Sequence, residues 1–327
     1  MSRGVVLITG INGFLGTYTA LTFLEAGYTV RGTGRTAEKA QDWIAHFPAH
    51  KAAYQSAVVA DLGAPGAFDD AVKGCDIIVH VASPNAPGTD ISDTKTEILI
   101  PAIHGTRNLL ESAKLEPRIR RVVFTGTLAA VLDSSHVEPG KVYTEEDWHP
   151  ATYDEAKASS NRRYEEKPGW AGATILPCGV FDPPIQPLSS LAAVNRSVGF
   201  LWDIVRGEHK TGLEMRASHG MYISARDVAQ AHLRAAEREE AKNQRYLLTG
   251  GTFGLADLAD IIQRHFPALS ANLPPSPGTP PVALMFETAK LERDLAMQFM
   301  PLETVIVDTV AALLALEKRE LGQDASV

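Results

Sequence analysis

A glycine-rich stretch near the start of the chain constrains the fold more than any other feature. Residues 5–16 read VVLITGINGFLG, so that four apolar residues precede glycines at positions 10, 13 and 16. The apolar run is typical of a buried strand, and a helical pattern follows it. A strand, a glycine turn and a helix N-terminus form a phosphate site, because N–H groups and the helix dipole face the anion. The spacing predicts dinucleotide binding, with a plain strand–turn–helix as the alternative.

Each glycine of this stretch has a predicted structural role. Gly10 allows the tight turn, Gly13 lets the backbone approach a pyrophosphate, and Gly16 lets the helix pack on the strand. The neighbouring residues complete the predicted contacts. The residues expected to bind the cofactor here are Gly10, Asn12, Gly13, Phe14, Leu15 and Gly16.

Strand-like and helix-like segments alternate behind this stretch. Further strands are predicted near residues 28–33, 57–62, 75–82, 120–125 and 173–176. Alternation of this kind gives a parallel sheet with helices on both faces, which binds ligands at the carboxyl ends of its strands. We therefore predict an α/β fold: a Rossmann-type doubly wound parallel sheet with a smaller, mostly C-terminal substrate lobe.

The length of 327 residues suits a large domain with a smaller one. We assign residues 1–180, with 220–260 and the C-terminal helix near 302–319, to the cofactor-binding Rossmann domain. Residues 181–219 and 261–303 form the predicted substrate-binding lobe. Prolines interrupt the regular patterns where the chain enters that lobe.

Composition excludes several classes of protein. The net charge of −8 argues against nucleic acid and anionic membranes as partners. Cys75 and Cys178 are the two cysteines, which form neither a disulfide framework nor a zinc motif, so we expect no metal site. No apolar run approaches the roughly 18 residues of a membrane span. The first strand begins within a few residues of the N-terminus, which leaves no signal peptide, and we expect a cytoplasmic protein.

The end of the second strand bears on the choice of cofactor. NAD sites usually place an acid there for the ribose 2′-hydroxyl, whereas residues 31–36 read RGTGRT. A 2′-phosphate prefers a guanidinium, which favours NADP(H) over NAD(H). Arg35 is the first candidate, followed by Arg31 and Lys39, although such arginines are also common as plain surface cations. Asp61 and Leu62, after the third strand, are expected beside the adenine.

The catalytic candidates follow the fifth strand. Thr127 comes two residues after the strand. Tyr153 precedes Lys157 by four residues, which places both side chains on one face of a helix. An ammonium one turn away lowers the pKa of a tyrosine from about 10 toward a useful range. Thr127 would bond the substrate oxygen while Tyr153 exchanges a proton with it during hydride transfer.

Taken together, these motifs resemble the extended short-chain dehydrogenase/reductase family, within the NAD-dependent epimerase/dehydratase superfamily. The nearest branch is that of dihydroflavonol-4-reductase-like enzymes and fungal aldehyde or methylglyoxal reductases. The matching stretches are 9–16, 30–35, 79–84, 101–110 and 222–232.

The resemblance implies a function and further site residues. Tyr153 would be the acid/base, Lys157 its electrostatic partner and ribose ligand, and Thr127 the substitute for a usual serine. The implied activity is NADPH-dependent reduction of a small or medium aldehyde or ketone to an alcohol. A homodimer is one expectation for the assembly. The cofactor segments after the fourth and sixth strands map to Val81, Ala82, Ser83, Pro177, Gly179 and Val180.

Several residues depart from the family pattern. Ala156 replaces a serine, Asn161 a glutamate, and Asp182 a glycine before proline. In a competing register, Tyr164 and Lys167 would form a degenerate catalytic motif. Two alternative functions follow: a nucleotide-sugar epimerase or dehydratase on the same scaffold, and an NADP-binding protein with altered catalysis. For His80 and His232 we expect structural roles. Cys178 is placed where it could face the pocket, but its use as a nucleophile would need a base that the sequence does not identify.

Overall fold

The fold is described by a computed structural model over residues 2–83, 95–133, 138, 140–149, 171–188, 190–213, 220–275 and 284–322. The strands are β1 (Val5–Thr9), β2 (Thr29–Gly34), β3 (Tyr54–Val58), β4 (Ile77–His80), β5 (Arg121–Thr125), β6 (Val142–Tyr143), β7 (Gly172–Pro177), β8 (Val180–Phe181), β9 (Met221–Ser224), β10 (Gln244–Leu248), β11 (Gly251–Thr252) and β12 (Met285–Phe286). The α-helices are α1 (Phe14–Glu25), α2 (Ala37–His46), α3 (Ile100–Ala113), α4 (Arg196–Arg206), α5 (Ala225–Glu237), α6 (Leu255–His265), α7 (Ala289–Leu295) and α8 (Leu302–Glu320).

The main sheet has seven strands in the order β10-β7-β5-β4-β1-β2-β3. Every pairing in it is parallel. The order reverses between β1 and β4, and doubly wound sheets bind ligands at this switch point. The predicted Rossmann-type fold is confirmed. Two smaller sheets, β11-β9-β8 and β12-β6, lie beside the main one.

The central strands are buried on both faces, and their side chains alternate between two cores. Val6 and Ile8 of β1 pack in the core that contains residues of α1 and α5. Leu7, between them, packs on the other side with Leu109 of α3. This period of two on a fully buried strand explains why the sequence reads as a continuous apolar run rather than an alternating one.

Several element boundaries can be compared with the predictions. The C-terminal helix near 302–319 is confirmed as α8. The strand expected at 57–62 was placed wrongly, because β3 covers Tyr54–Val58 and Asp61 closes a turn by accepting the N–H of Gly63 at 2.8 Å. Tyr153, Lys157 and the helix expected around them lie outside the described residues. Within the described ranges, no helix combines the length and apolar character needed to cross a bilayer.

Candidate active site

The glycine turn joins β1 to α1 at the carboxyl edge of the main sheet. Gly10 has a φ of +71°, in the left-handed region that favours glycine. A Cβ atom on Gly16 would lie 2.1 Å from the carbonyl oxygen of Gly10, so this helix position also requires glycine. Gly13 caps α1 without a side-chain hydrogen bond. The first N–H groups of α1 can therefore bind an anion.

Thr9 fixes a second segment beside this turn. Its hydroxyl oxygen accepts the N–H groups of Val81 at 3.1 Å and Ala82 at 3.0 Å. Its proton is then directed at Nδ1 of His80, 2.9 Å away, which leaves the proton of the neutral imidazole on Nε2. Burial lowers the pKa of His80 to about 4. The structure thus brings the predicted cofactor segment after β4 next to Gly10 and gives His80 a supporting role.

The two candidate arginines for a 2′-phosphate have different surroundings. Nη1 of Arg31 donates to the carbonyl oxygens of Ala71 at 2.9 Å and Lys73 at 2.6 Å, and Nε donates to Gln55. Arg35 is exposed, and no hydrogen bond or ion pair joins it to the part of the chain that the structure describes. The geometry favours Arg35 and gives Arg31 a packing role that the sequence did not indicate.

Two asparagines organise the predicted adenosine side of the site. Asn108 of α3 donates through Nδ2 to the carbonyl oxygens of Leu62 at 3.0 Å and Ala64 at 2.9 Å, which fixes the loop that carries Asp61. Asn12 donates to the carbonyl oxygen of Lys39 at 2.7 Å and so ties the glycine turn to α2. Asn108 was missed as a site residue, because the contact that reveals its role spans 46 positions of sequence.

Thr127 lies at the same edge, just beyond β5. Its Oγ1 accepts the N–H of Ala129 at 3.3 Å, and the hydroxyl keeps its proton for donation to a ligand. The preceding Gly126 donates to the carbonyl oxygen of Ile175 at 2.8 Å. A Cβ on Gly126 would lie 2.5 Å from the side chain of Leu176, so glycine allows β5 to pack closely on β7.

The predicted partners of Thr127 cannot be compared with it. Tyr153 and Lys157 lie outside the described residues, as do Ala156, Asn161 and the competing pair of Tyr164 and Lys167. Their assignment therefore stays a prediction from the sequence.

The turn between β7 and β8 is the remaining predicted cofactor segment. The N–H of Cys178 donates to the carbonyl oxygen of Leu248 at 3.2 Å, and the carbonyl oxygen of Gly179 accepts from Ile223 at 3.0 Å. Burial raises the pKa of the Cys178 thiol to about 12, which leaves it protonated and unsuited to nucleophilic chemistry at neutral pH. Backbone hydrogen bonds to β9 and β10 therefore hold the turn in place, and the side chain of Cys178 has a packing role.

Two further groups at this edge are buried. His232 of α5 forms a hydrogen bond through Nε2 with Thr125 at 2.8 Å, and burial lowers its pKa to about 4. Asp182, which departs from the family pattern, is completely buried and pairs with Arg226. Nothing in the local sequence around Asp182 indicates this partner.

The chain is similar to known proteins of one family. The model of the NAD dependent epimerase/dehydratase family matches residues 6–248. An uncharacterized oxidoreductase of Schizosaccharomyces pombe is 36% identical over 82% of this chain and 84% of its own. The ketoreductase azaE of Aspergillus niger is 33% identical over 94% of this chain and 97% of its own.

Comparison with solved structures points to the same family. The yeast methylglyoxal/isovaleraldehyde reductase Gre2, solved in complex with NADPH, superposes with a TM-score of 0.85 at 27% identity, covering 96% of this chain and 99% of Gre2. The sequence resemblance to extended short-chain dehydrogenases/reductases is confirmed. Because the family model spans most of the chain, this chain belongs to the NAD dependent epimerase/dehydratase family.

Proposed function

We propose that this chain is an NADPH-dependent oxidoreductase that reduces small or medium aldehydes and ketones to alcohols. One observation supports the choice of cofactor: after β2, where NAD sites place an acid, stands Arg35, which is exposed and has no partner among the residues that the structure describes. The relatives support the reaction, since they include a ketoreductase and a methylglyoxal/isovaleraldehyde reductase solved with NADPH. The absence of that acid also counts against a nucleotide-sugar epimerase.

The residues present fit a dinucleotide. The pyrophosphate would lie against the N-terminus of α1. The tight turn that presents this terminus needs glycine at position 16, because a Cβ there would meet the carbonyl oxygen of Gly10. Arg35 would pair with the 2′-phosphate, and Asp61 and Leu62 would flank the adenine. The turn after β7 would line the nicotinamide pocket from the side of Gly179.

The chemistry needs a hydride and a proton. NADPH, when bound, supplies the hydride. Thr127 donates a hydrogen bond from its hydroxyl to the carbonyl oxygen of the substrate and so orients it, while the same hydroxyl oxygen accepts the N–H of Ala129. Tyr153 transfers a proton to that oxygen, and Lys157 lowers the pKa of Tyr153 so that the transfer occurs near neutral pH. The product is the alcohol.

Besides the roles of Tyr153 and Lys157, three further points stay predictions from the sequence: the homodimer, the cytoplasmic location, and the division into a Rossmann domain and a substrate lobe.

The proposed function is tested by following NADPH oxidation with aldehydes, ketones and methylglyoxal. We expect turnover by the wild type and a fall of at least about 100-fold in kcat for Tyr153→Phe, because the phenol proton is lost. Tyr28→Phe is the matched control, since Tyr28 lies at the opposite edge of the sheet and donates to Glu237 at 3.0 Å. Unchanged turnover in Tyr153→Phe would contradict the assignment, and a loss in Tyr164→Phe instead would select the competing register.

A further inference from the structure

Asp182 follows β8 directly, and its side chain has no solvent exposure. Carboxylates are rarely buried so completely without partners. Ser224 donates from Oγ to Oδ2 at 2.5 Å, and the backbone N–H of Arg226 donates to the same oxygen at 3.0 Å. The guanidinium of Arg226 reaches both carboxylate oxygens, through Nη2 at 2.5 Å and Nε at 3.2 Å. The carboxylate is thus fully hydrogen-bonded at the N-terminus of α5.

This ion pair and one neighbouring hydrogen bond join three helices to the chain after β8. Nη2 of Arg226 also donates to Asp308 of α8 at 2.9 Å. Tyr18 of α1 donates to the carbonyl oxygen of Pro183 at 2.8 Å, next to Asp182 in the chain. Residues 182–183 are therefore fixed to α5, α8 and the helix that follows the glycine turn.

The fixed point lies close to the candidate active site. β7 ends at Pro177 and leads into the turn before β8, and the same strand accepts the N–H of Gly126, the neighbour of Thr127, through Ile175. On its upstream side the turn is held by the pairing of β7 with β10. On its downstream side it is held by β9, through Ile223, and two residues later by the carboxylate of Asp182.

We propose that Asp182 is a positioning residue for hydride transfer: through Ser224 and Arg226 it holds the backbone of Pro177–Val180 against the nicotinamide. This inference rests on the proposed function. Asp182 does not touch substrate or cofactor in this account. Its effect arises because a displacement of about 1 Å in the reacting groups can lower a rate about 100-fold.

A purely stabilising role must be separated from positioning, because removing one partner of a buried ion pair destabilises a protein wherever the pair lies. Asp76 provides the matched control. It is 9% exposed and accepts the N–H of Val5 at 2.8 Å and Nη2 of Arg118 at 3.0 Å. It precedes β4 and so lies at the opposite edge of the main sheet.

The test compares Asp182→Asn with Asp76→Asn at a temperature where circular dichroism shows both folded. Three quantities are measured: kcat with a carbonyl substrate, the Kd of NADPH, and the emission spectrum of bound NADPH. For Asp182→Asn we expect kcat to fall at least about tenfold and the nicotinamide emission to shift. Its Kd should change less than about threefold, since the phosphates bind elsewhere. Asp76→Asn should match the wild type in all three.

The outcomes separate this inference from the proposed function. If Asp182→Asn and Asp76→Asn had the same kcat and the same emission spectrum of bound NADPH, the proposal that Asp182 is a positioning residue would be overturned. A wild type without turnover would overturn the proposed function, and the emission spectra would still decide on positioning. If Asp182→Asn does not fold, Arg226→Lys is measured in the same way. This substitution keeps the positive charge but loses the bidentate contact with the carboxylate of Asp182. Wild-type kcat and emission in Arg226→Lys would then overturn the proposal.

Discussion

The amino-terminal edge of the main sheet and the glycine turn at its carboxyl edge use polar and charged groups in opposite ways. At the amino-terminal edge, charges pair with one another: Asp76 with Arg118 at 3.0 Å and Arg3 with Glu237 at 2.8 Å. A cavity opens there as well, but Lys242 in its lining already pairs with Glu239 at 2.5 Å. At the glycine turn, the N-terminus of α1 has no side-chain cap and Arg35 stands unpaired among the described residues. Paired charges stabilise the fold. An uncapped helix N-terminus and a cation without such a partner are instead available to bind an anionic ligand.

Arg31 and Arg35 show the same contrast within a few residues. The guanidinium of Arg31 is bound by the carbonyl oxygens of Ala71 and Lys73 before β4. Arg35, just beyond β2, has no such partner in the described chain. The position of an arginine along its strand thus decides whether it stabilises the fold or remains free for a cofactor.

The largest expected effect comes from filling the glycine turn. A methyl group in Gly16→Ala would lie 2.1 Å from the Gly10 carbonyl oxygen, so the turn must shift. We expect NADPH affinity to fall at least about 100-fold and the free energy of unfolding to fall by about 1–3 kcal/mol. A fluorescence titration with NADPH and urea unfolding measure the two effects.

Gly199→Ala is the control for this substitution. Gly199 lies within α4, and the nearest atom to a Cβ there is in the side chain of Val194, at an ordinary contact distance of 3.7 Å. We expect unchanged affinity and a gain in stability of about 0.5–1 kcal/mol. Wild-type NADPH affinity in Gly16→Ala would contradict the role of the turn.

A second effect concerns acid stability at the carboxyl edge. The pKa values of His80 and His232 fall from 6.5 to about 4 on folding because both are buried. Folded protein therefore binds fewer protons, and the stability present above pH 6.5 is lost as the pH falls toward 4, by about 3 kcal/mol per histidine. Burial raises the pKa of Asp227 to about 6, which opposes this loss. The net loss at pH 4 is on the order of 3 to 4 kcal/mol.

Urea unfolding between pH 7 and 4.5 measures this dependence. His80→Asn, which retains an acceptor for the hydroxyl of Thr9, should flatten the curve relative to the wild type. At the other edge, hydrogen bonds from Val5 and Arg118 outweigh burial and lower the pKa of Asp76 below 3.8, so this carboxylate loses its contribution only in stronger acid. A wild-type stability that does not change between pH 7 and 4.5 would contradict the neutral, buried histidines.

The smallest expected effect separates the two arginines. Arg35→Ala should weaken NADPH binding about tenfold and leave NADH binding unchanged, because only NADPH carries the 2′-phosphate. Arg31→Ala should lower stability through its lost backbone contacts and leave the ratio of the two affinities unchanged. Parallel titrations of both variants with both nucleotides measure this difference. An equal loss for the two nucleotides in Arg35→Ala would remove the argument for the 2′-phosphate.

The sequence predicted the fold well because local patterns encode it. The apolar run of β1, the glycine spacing and the alternation of strands and helices each depend on neighbouring residues. The position of β3 was predicted wrongly, because its residues are only partly buried or exposed and its apolar signal is weak.

Contacts between distant residues could not be predicted. Arg31 reaches carbonyl oxygens 40 and 42 residues away, and Asp182 pairs with Arg226 across 44 residues. The sequence shows a suitable charge at each position but does not show which charges meet. Whether a charged residue is free or paired is therefore visible only in the structure.

The most direct test of this account is the affinity of the wild-type protein for the two reduced nucleotides. Titration with NADPH and with NADH, followed by protein and nicotinamide fluorescence, measures both in one buffer. Arg35, which has no partner in the described part of the chain, predicts that NADPH binds at least about tenfold more tightly than NADH. Equal affinities, or tighter binding of NADH, would contradict the claim that the carboxyl edge is built for the phosphorylated cofactor.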